Sequence, residues 1–232
     1  MTKTYPSRGL FITGTDTGVG KTYVAARIAR ELRDAGHRVG VYKPVASGCP
    51  QGTAGAVSGD ALELWEAAGR PLSPSEVCPQ RFEAPLAPHR AAEAEGRTVD
   101  QRLLRTGLAI WHGTCDVVLV EGAGGLMSPL GTTDYNIDLA AEFGYPLIVV
   151  APDQLGVINQ VLQTVIVAAT AGADLVTAGV VLNRLRPECD ASCGSNRAEL
   201  AARCVPPVLT CMAWQQPHFD DTVDWVALAS GS

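Results

Sequence analysis

The sequence predicts an α/β chain built on a doubly wound, mostly parallel sheet, and three observations carry that prediction. Apolar runs alternate along the chain with helical patterns, the order that threads a parallel sheet through helical crossovers. The runs VVLV, LIVV and GVVL are apolar at every position, as strands covered by helices on both faces are. The stretch FITGTDTGVGKTY, residues 11–23, carries an apolar strand through a glycine-rich turn into a helix.

Taken in order, a strand is expected over residues 9–13 and a helix over 21 to about 35, which Gly36 closes. A second strand over 38–42 leads into a loop rich in Gly, Pro, Ser and Ala that runs to Ser58. Ser58 is a suitable cap for a helix over 60–68. Residues 71–96 are dense in proline and short of pattern, so loops and turns are expected there. Helices are then expected at 100–112, 136–143 and about 157–171, and strands at 116–120, 146–151 and 176–182. No internal repeat or low-complexity linker divides the chain, so residues 1–232 read as a single domain.

A chain of 232 residues that is 47% hydrophobic can bury a sizeable core. Its formal net charge of -6 argues against a nucleic-acid partner, because no basic stripe is available to neutralise a phosphate backbone. The first ten residues carry no apolar run of signal-peptide length and no later segment reaches membrane-span length, so a soluble, cytoplasmic protein is expected. The seven cysteines are odd in number and lack zinc-type pairing, Cys189 and Cys193 included, and all seven are expected to be reduced thiols.

The glycine-rich turn approximates a phosphate-binding loop, with one residue too many between Gly14 and Gly20. Its physical requirements are met. A strand enters, Gly18 and Gly20 let the backbone around Val19 turn its N–H groups inward, and a helix starts at Lys21 and runs through Thr22 and Tyr23. Lys21 is expected to reach the β- and γ-phosphates of ATP and the Thr22 hydroxyl to ligate Mg²⁺, which makes the sheet P-loop NTPase-like. The bland alternative, a glycine-rich turn with a lysine on the first helical turn, does not require strand, Gly-x-Gly-Lys-Thr and helix in that order.

In an open parallel sheet, ligands sit at the carboxyl ends of the strands, which selects the remaining candidates. Lys43 and Ser47 follow the second strand, Glu121 follows DVVLV, residues 153–159 follow LIVVA and Asn183 follows GVVL. Asp116 opens its strand and sits roughly 16 Å from Glu121, at the wrong edge. Glu121 is therefore the candidate for Mg²⁺, in the manner of the acidic residue that follows a strand in phosphate-loop enzymes. Lys43 reads either as a second ammonium that stabilises a transferring phosphoryl group or as a solvated strand-end lysine. Asp60 reads either as a second metal carboxylate or as a favourable charge at a helix N-terminus.

With GTDTGVGKT, YKPVASG, SGDAL, VEGAGGL and LGVIN in this order, the chain resembles the dethiobiotin synthetases of biotin biosynthesis over about residues 9–184. The resemblance accounts for the displaced Gly14. It implies an ATP-dependent ligase acting on diaminopelargonate, CO₂ and MgATP through a carbamate and a carbamic-phosphoric anhydride. It further implies that Lys43 and Lys21 are catalytic, that Thr17 and Ser47 contact substrate or carbamate, and that Thr22, Asp60 and Glu121 hold Mg²⁺. The run Glu121, Gly122, Ala123, Gly124 would line the nucleotide, and Asn183 with Arg184 would read adenine. A homodimer is implied, with Asn159 contacting the substrate bound to the other subunit. The sequence departs from the family pattern at Gln160, where His often follows that Asn, and at Ala213, which replaces the proline before Trp214.

Two rival readings share the phosphate loop. ATPase switches of the chromosome- or septum-positioning type carry an extra lysine early in the loop, where this chain has Thr15 and Asp16. Amide-forming synthetases of the cobyrinate type append a glutaminase domain, for which the chain ends too soon.

Overall fold

The structure, a computed structural model, describes residues 5–53, 55–170, 175–204 and 206–231. The strand β1 (Gly9–Gly14) leads through the glycine-rich loop to α1 (Lys21–Asp34), and β2 (Val39–Tyr42) follows. Three two-residue strands, β3 (Val45–Ala46), β4 (Gln51–Gly52) and β5 (Gly55–Ala56), precede α2 (Gly59–Ala67). Next come α3 (Pro74–Val77), β6 (Gln80–Arg81), α4 (Pro88–Ala94) and α5 (Gln101–Thr106). The second half runs β7 (Val117–Gly125), α6 (Asn136–Phe143), β8 (Leu147–Pro152), α7 (Val157–Thr170) and β9 (Thr177–Asn183). It closes with α8 (Cys193–Arg203), β10 (Val208–Met212) and α9 (Trp225–Ala229).

Six strands form one sheet in the order β10-β9-β8-β1-β7-β2, with every pairing parallel. The order reverses at β1, which pairs with β8 on one side and β7 on the other. Chain connections leave β1 in opposite directions, so a crevice opens beyond its carboxyl end, where the phosphate loop begins. Leu10, Phe11 and Ile12 of β1 have no exposed surface, as a strand covered on both faces requires. Helix α1 packs Val24, Ile28 and Leu32 inward at helical spacing, each contributing roughly 1.5–3 kcal/mol by burial.

Two sequence expectations need correction. Residues 71–96 hold α3, β6 and α4 rather than loops alone. Pro74 and Pro88 stand in the first turn of their helices, where a missing N–H breaks no helical bond, so prolines that read as breakers act as starters. Finally, Cys189 and Cys193 are joined in a disulfide, their Cα atoms 6.1 Å apart across the turn into α8, while Cys49, Cys78, Cys115, Cys204 and Cys211 are free thiols.

Smaller differences concern element ends. The helix expected at 100–112 passes into a 3₁₀ segment at Gly107–Trp111, and β7 runs on to Gly125. The helix expected to about 171 is α7, whose last described residue is Thr170; Ala171 lies outside the described residues. Among the described residues, no helix is long and apolar enough to cross a membrane.

Candidate active site

The phosphate loop follows directly from its glycines. Gly18 (φ 75°) and Gly20 (φ 87°) take the left-handed conformation that a side chain disfavours. Gly20 also caps α1 with no side-chain hydrogen bond, which leaves the helix's first N–H groups turned toward the loop. Lys21 is 7% exposed, and its Nζ donates to the Asp16 carbonyl across the loop at 3.1 Å. The Asp16 carboxylate accepts from the Thr17 N–H at 2.6 Å and so stays with its own backbone.

A cavity of about 450 Å³ opens above this loop. Thr17, Gly18, Gly20, Lys21, Thr22 and Tyr23 form one wall, Lys43, Ser47 and Asp60 a second, and Glu121, Ala123 and Gly124 a third. Residues from three separate strand ends thus converge, as the strand-end argument requires. Ala46 and Glu63 also border the cavity. Glu63 was not anticipated, although it stands one helical turn beyond Asp60 on α2 and faces the same side.

Lys43 organises the floor. Its Nζ lies 2.5 Å from Glu121 Oε1 and 2.6 Å from Asp60 Oδ2. Lys43 and Glu121 are 3% and 1% exposed, so this is a buried pair and not a solvated strand-end lysine. Thr22 Oγ1 donates to the same Glu121 oxygen at 2.9 Å. Asp60 is set in place by its helix: the Ser58 hydroxyl accepts from the Ala61 N–H at 3.2 Å, capping α2 as expected.

The charges in the cavity set one another. Burial alone would lower the pKa of Lys43, but the carboxylates of Glu121 and Asp60 outweigh it and the net shift is upward. For Asp60, burial pushes upward and is overcome chiefly by the Lys43 ammonium, so its pKa is lowered. Lys21 goes the other way: burial lowers its pKa, the Glu121 carboxylate opposes this, and the Lys43 ammonium adds to the lowering.

The donor set fits a hard divalent cation. Glu121 Oε2 is buried without a hydrogen-bond partner, and the Thr22 hydroxyl and the half-exposed Asp60 carboxylate stand beside it. Oxygen donors from two carboxylates and a hydroxyl are what Mg²⁺ takes when it is held jointly with substrate phosphates.

Asn183 and Arg184 stand apart from this cavity. Asn183 is 3% exposed, its Nδ2 donates to the Val19 carbonyl at 3.0 Å, and its Oδ1 has no partner. Arg184 borders a second cavity of about 220 Å³ with Asp153, Leu185, Arg186 and Cys189. Its Nε stands 3.6 Å from Asp153 Oδ2. Asn159 is exposed on α7 and lines neither cavity. His89 sits on the first turn of α4, beside Arg97 and Gln101 in a different cavity, and Trp214 is 43% exposed.

The model of the AAA domain family matches residues 8–218. The chain is 48% identical over 210 residues to the ATP-dependent dethiobiotin synthetase BioD of Rhodopirellula baltica, which covers 86% of this chain and 81% of that one. It is 44% identical over 211 residues to the protein of the same name from Anaeromyxobacter dehalogenans, covering 90% of this chain and 91% of that one. Among solved structures it is similar to the signal recognition particle receptor FtsY from Elizabethkingia anophelis, with a TM-score of 0.50 at 15% identity. That match covers 99% of this chain and 65% of the FtsY chain, and at such identity it bears on the fold alone. On the family model and on relatives that match it along most of both lengths, the chain belongs to the family of ATP-dependent dethiobiotin synthetases.

Proposed function

We propose that the protein converts diaminopelargonate, CO₂ and MgATP into dethiobiotin, ADP and phosphate. The relatives' names supply the overall reaction, and one observation ties it to this chain: a buried lysine, Lys43, held by two carboxylates within a phosphate-loop cavity. A nucleotide switch needs the loop but has no use for a second ammonium fixed at the far wall. An amide synthetase of the cobyrinate type would need a source of ammonia that no part of this cavity suggests.

The chemistry divides into three transfers. One substrate amine adds to CO₂ and loses a proton, giving a carbamate. A carbamate oxygen attacks the γ-phosphorus of ATP and displaces ADP, giving a carbamic-phosphoric anhydride. The second amine attacks the carbonyl carbon of the anhydride, phosphate leaves, and the amine gives up one proton as the ureido ring closes. Thr17 and Ser47, which both line the cavity, hold the carbamate by their hydroxyls. Lys21 and Lys43 supply two ammonium groups toward the phosphoryl oxygens as charge moves from carbamate to ADP.

Thr22, Asp60 and Glu121 are the residues that would hold Mg²⁺. When bound, the ion neutralises charge on the β- and γ-phosphate oxygens. The loop from Gly18 to Tyr23 and the wall from Gly122 to Gly124 bind the triphosphate, and Asn183 with Arg184 reads the base. The buried Asn183 Oδ1, which has no partner among the described residues, is the acceptor that an exocyclic amine would need there. The protein acts in the cytoplasm as a homodimer, with the exposed Asn159 meeting the substrate bound to the partner subunit.

The test incubates the purified protein with diaminopelargonate, bicarbonate and MgATP and follows dethiobiotin by mass spectrometry. A ureido product that depends on all three reactants is expected. ADP release that needs no diamine, with no ureido product, would overturn the proposal in favour of the switch.

A further inference from the structure

Strand β7 outruns one neighbour and bulges against the other. On one side β2 pairs with it only as far as Tyr42 opposite Val120. On the other side β1 matches Ile12 with Glu121 and then Gly14 with Gly125, so Gly122, Ala123 and Gly124 stand opposite Thr13 alone. A bulge of that size strips backbone N–H and C=O groups of their ladder partners, which is costly where water cannot replace them.

One side chain takes the place of the missing strand. Asn136, at the start of α6, has no exposed surface. Its Nδ2 donates to the carbonyls of Ala123 and Gly125, both at 2.7 Å, and its Oδ1 accepts from the Ala123 N–H at 3.1 Å. With Ala123 the carboxamide therefore exchanges both bonds, as a residue on a paired strand would. The chain leaves no slack around it: a Cβ on Gly122 would stand 2.6 Å from Asn136 Oδ1. Asn136 is itself anchored, its N–H donating to the Ser128 carbonyl at 3.2 Å, while the Ser128 hydroxyl accepts from the Gly125 N–H at 2.9 Å.

The segment so held faces the phosphate loop. Ala123 and Gly124 border the cavity, and a Cβ on Gly124 would stand 3.3 Å from Thr17 Oγ1. We propose that Asn136 is a positioning residue for phosphoryl transfer: it replaces the absent strand partner of the 122–125 bulge and so fixes this wall against Thr17. The carboxamide is the group that suits the task. Aspartate keeps the shape but lacks both donors and adds a charge near Glu121, and alanine leaves three backbone groups unmatched. Because Lys21, Gly20 and the start of α1 are held by other contacts, loss of Asn136 should loosen one wall and leave the phosphate loop formed.

The inference rests on the proposed function for its kinetic readout, and a second readout does not. In Asn136→Ala and Asn136→Asp, assayed well below their melting temperatures, kcat for dethiobiotin should fall about 100-fold while ADP affinity stays within about threefold. Ser128→Ala, which removes the hydroxyl that holds the Gly125 N–H and leaves the carboxamide in place, should show the same split if the Asn136 variants fail to fold. A folded variant with kcat within about threefold of wild type would overturn the proposal and leave Asn136 a purely structural residue. Hydrogen exchange by NMR gives the reading that needs no turnover. The Ala123 amide should exchange faster in the variants while Lys21 and its neighbours keep their protection, and equal protection at Ala123 would overturn the proposal. Wild-type protein that makes no dethiobiotin would sink the functional reading alone.

Discussion

The side-chain amide of Asn183 occupies the space in which a Cβ on Gly20 would stand, and the same amide donates to the Val19 carbonyl at 3.0 Å. The carboxyl end of β9 thus props the phosphate loop from behind, two strands away from β1 in the sheet. Gly20 is constrained twice, by this contact and by its φ of 87°.

Gly20→Ala should therefore be more damaging than either constraint alone suggests. The left-handed backbone costs about 1–2 kcal/mol for an L-residue, and the overlap with Asn183 adds to it. A lower melting temperature and a loss of nucleotide affinity of at least about tenfold are expected in calorimetry. In the double variant Gly20→Ala, Asn183→Ala the overlap is relieved and the backbone strain is not, so stability should recover in part. Additive losses would show that Asn183 does not press on the loop.

Lys43→Gln separates binding from chemistry. The variant keeps the phosphate loop, so ADP affinity should change little, while dethiobiotin formation should fall about 10²- to 10³-fold with the loss of one charged donor. It also strands the 1%-exposed Glu121 carboxylate, a change that costs about 3–5 kcal/mol when a buried pair loses one partner. Adding Glu121→Gln should restore melting temperature without restoring turnover. Unchanged turnover in the single variant would remove Lys43 from the mechanism.

Which parts of this site the sequence discloses follows from the range of the interactions involved. The phosphate loop is local: its glycines, lysine and threonine lie within a single strand-turn-helix unit, and their spacing reports the conformation. Lys43, Asp60 and Glu121 are distant in sequence yet foreseeable, because each follows a strand or stands in the first turn of a helix at the ligand-binding edge. Their mutual geometry is not foreseeable. Nothing in YKPVASG indicates that Lys43 is shared between two carboxylates. The bulge after Glu121 is hidden for a related reason, since Gly-Ala-Gly-Gly reads as a turn and its partner is a side chain on α6 rather than another strand. The prolines of α3 and α4 mislead because the same residue starts a helix in its first turn and breaks one further in. The disulfide was missed because a Cys pair four positions apart bonds only where the turn draws it together.

The two lysines should separate on a pH scale. Burial places the Lys21 pKa below its ordinary 10.5, whereas that of Lys43 is raised, so with rising pH Lys21 loses its proton first. Phosphate binding requires the ammonium. Nucleotide affinity should then hold its plateau at neutral pH and fall in an alkaline limb that opens below pH 10.5. Bound phosphates favour the charged form, so binding within that limb takes up protons. Calorimetry of ADP binding in two buffers of different ionisation enthalpy measures that uptake, and an affinity flat up to pH 10.5 would refute the assignment.

The cation site makes a graded prediction. Glu121 offers a buried, unpartnered Oε2, Thr22 a hydroxyl bonded to the other oxygen, and Asp60 a carboxylate whose side chain is 52% exposed. A buried ligand that water cannot reach should matter more than one that water can replace. At fixed ATP, the Mg²⁺ concentration for half-maximal dethiobiotin formation should rise at least about tenfold in Glu121→Gln. Thr22→Val should follow it, because the variant loses both a candidate ligand and the bond that orients Glu121. Asp60→Asn should shift the midpoint less, since a bound water can stand in at its exposed side. Lys43 bears on the order as well: in Asp60→Asn it keeps Glu121 as a partner, so the cavity floor survives, while Glu121→Gln removes its buried counter-charge. A midpoint that moves most in Asp60→Asn would place the ion on the outer side of the cavity, away from Glu121.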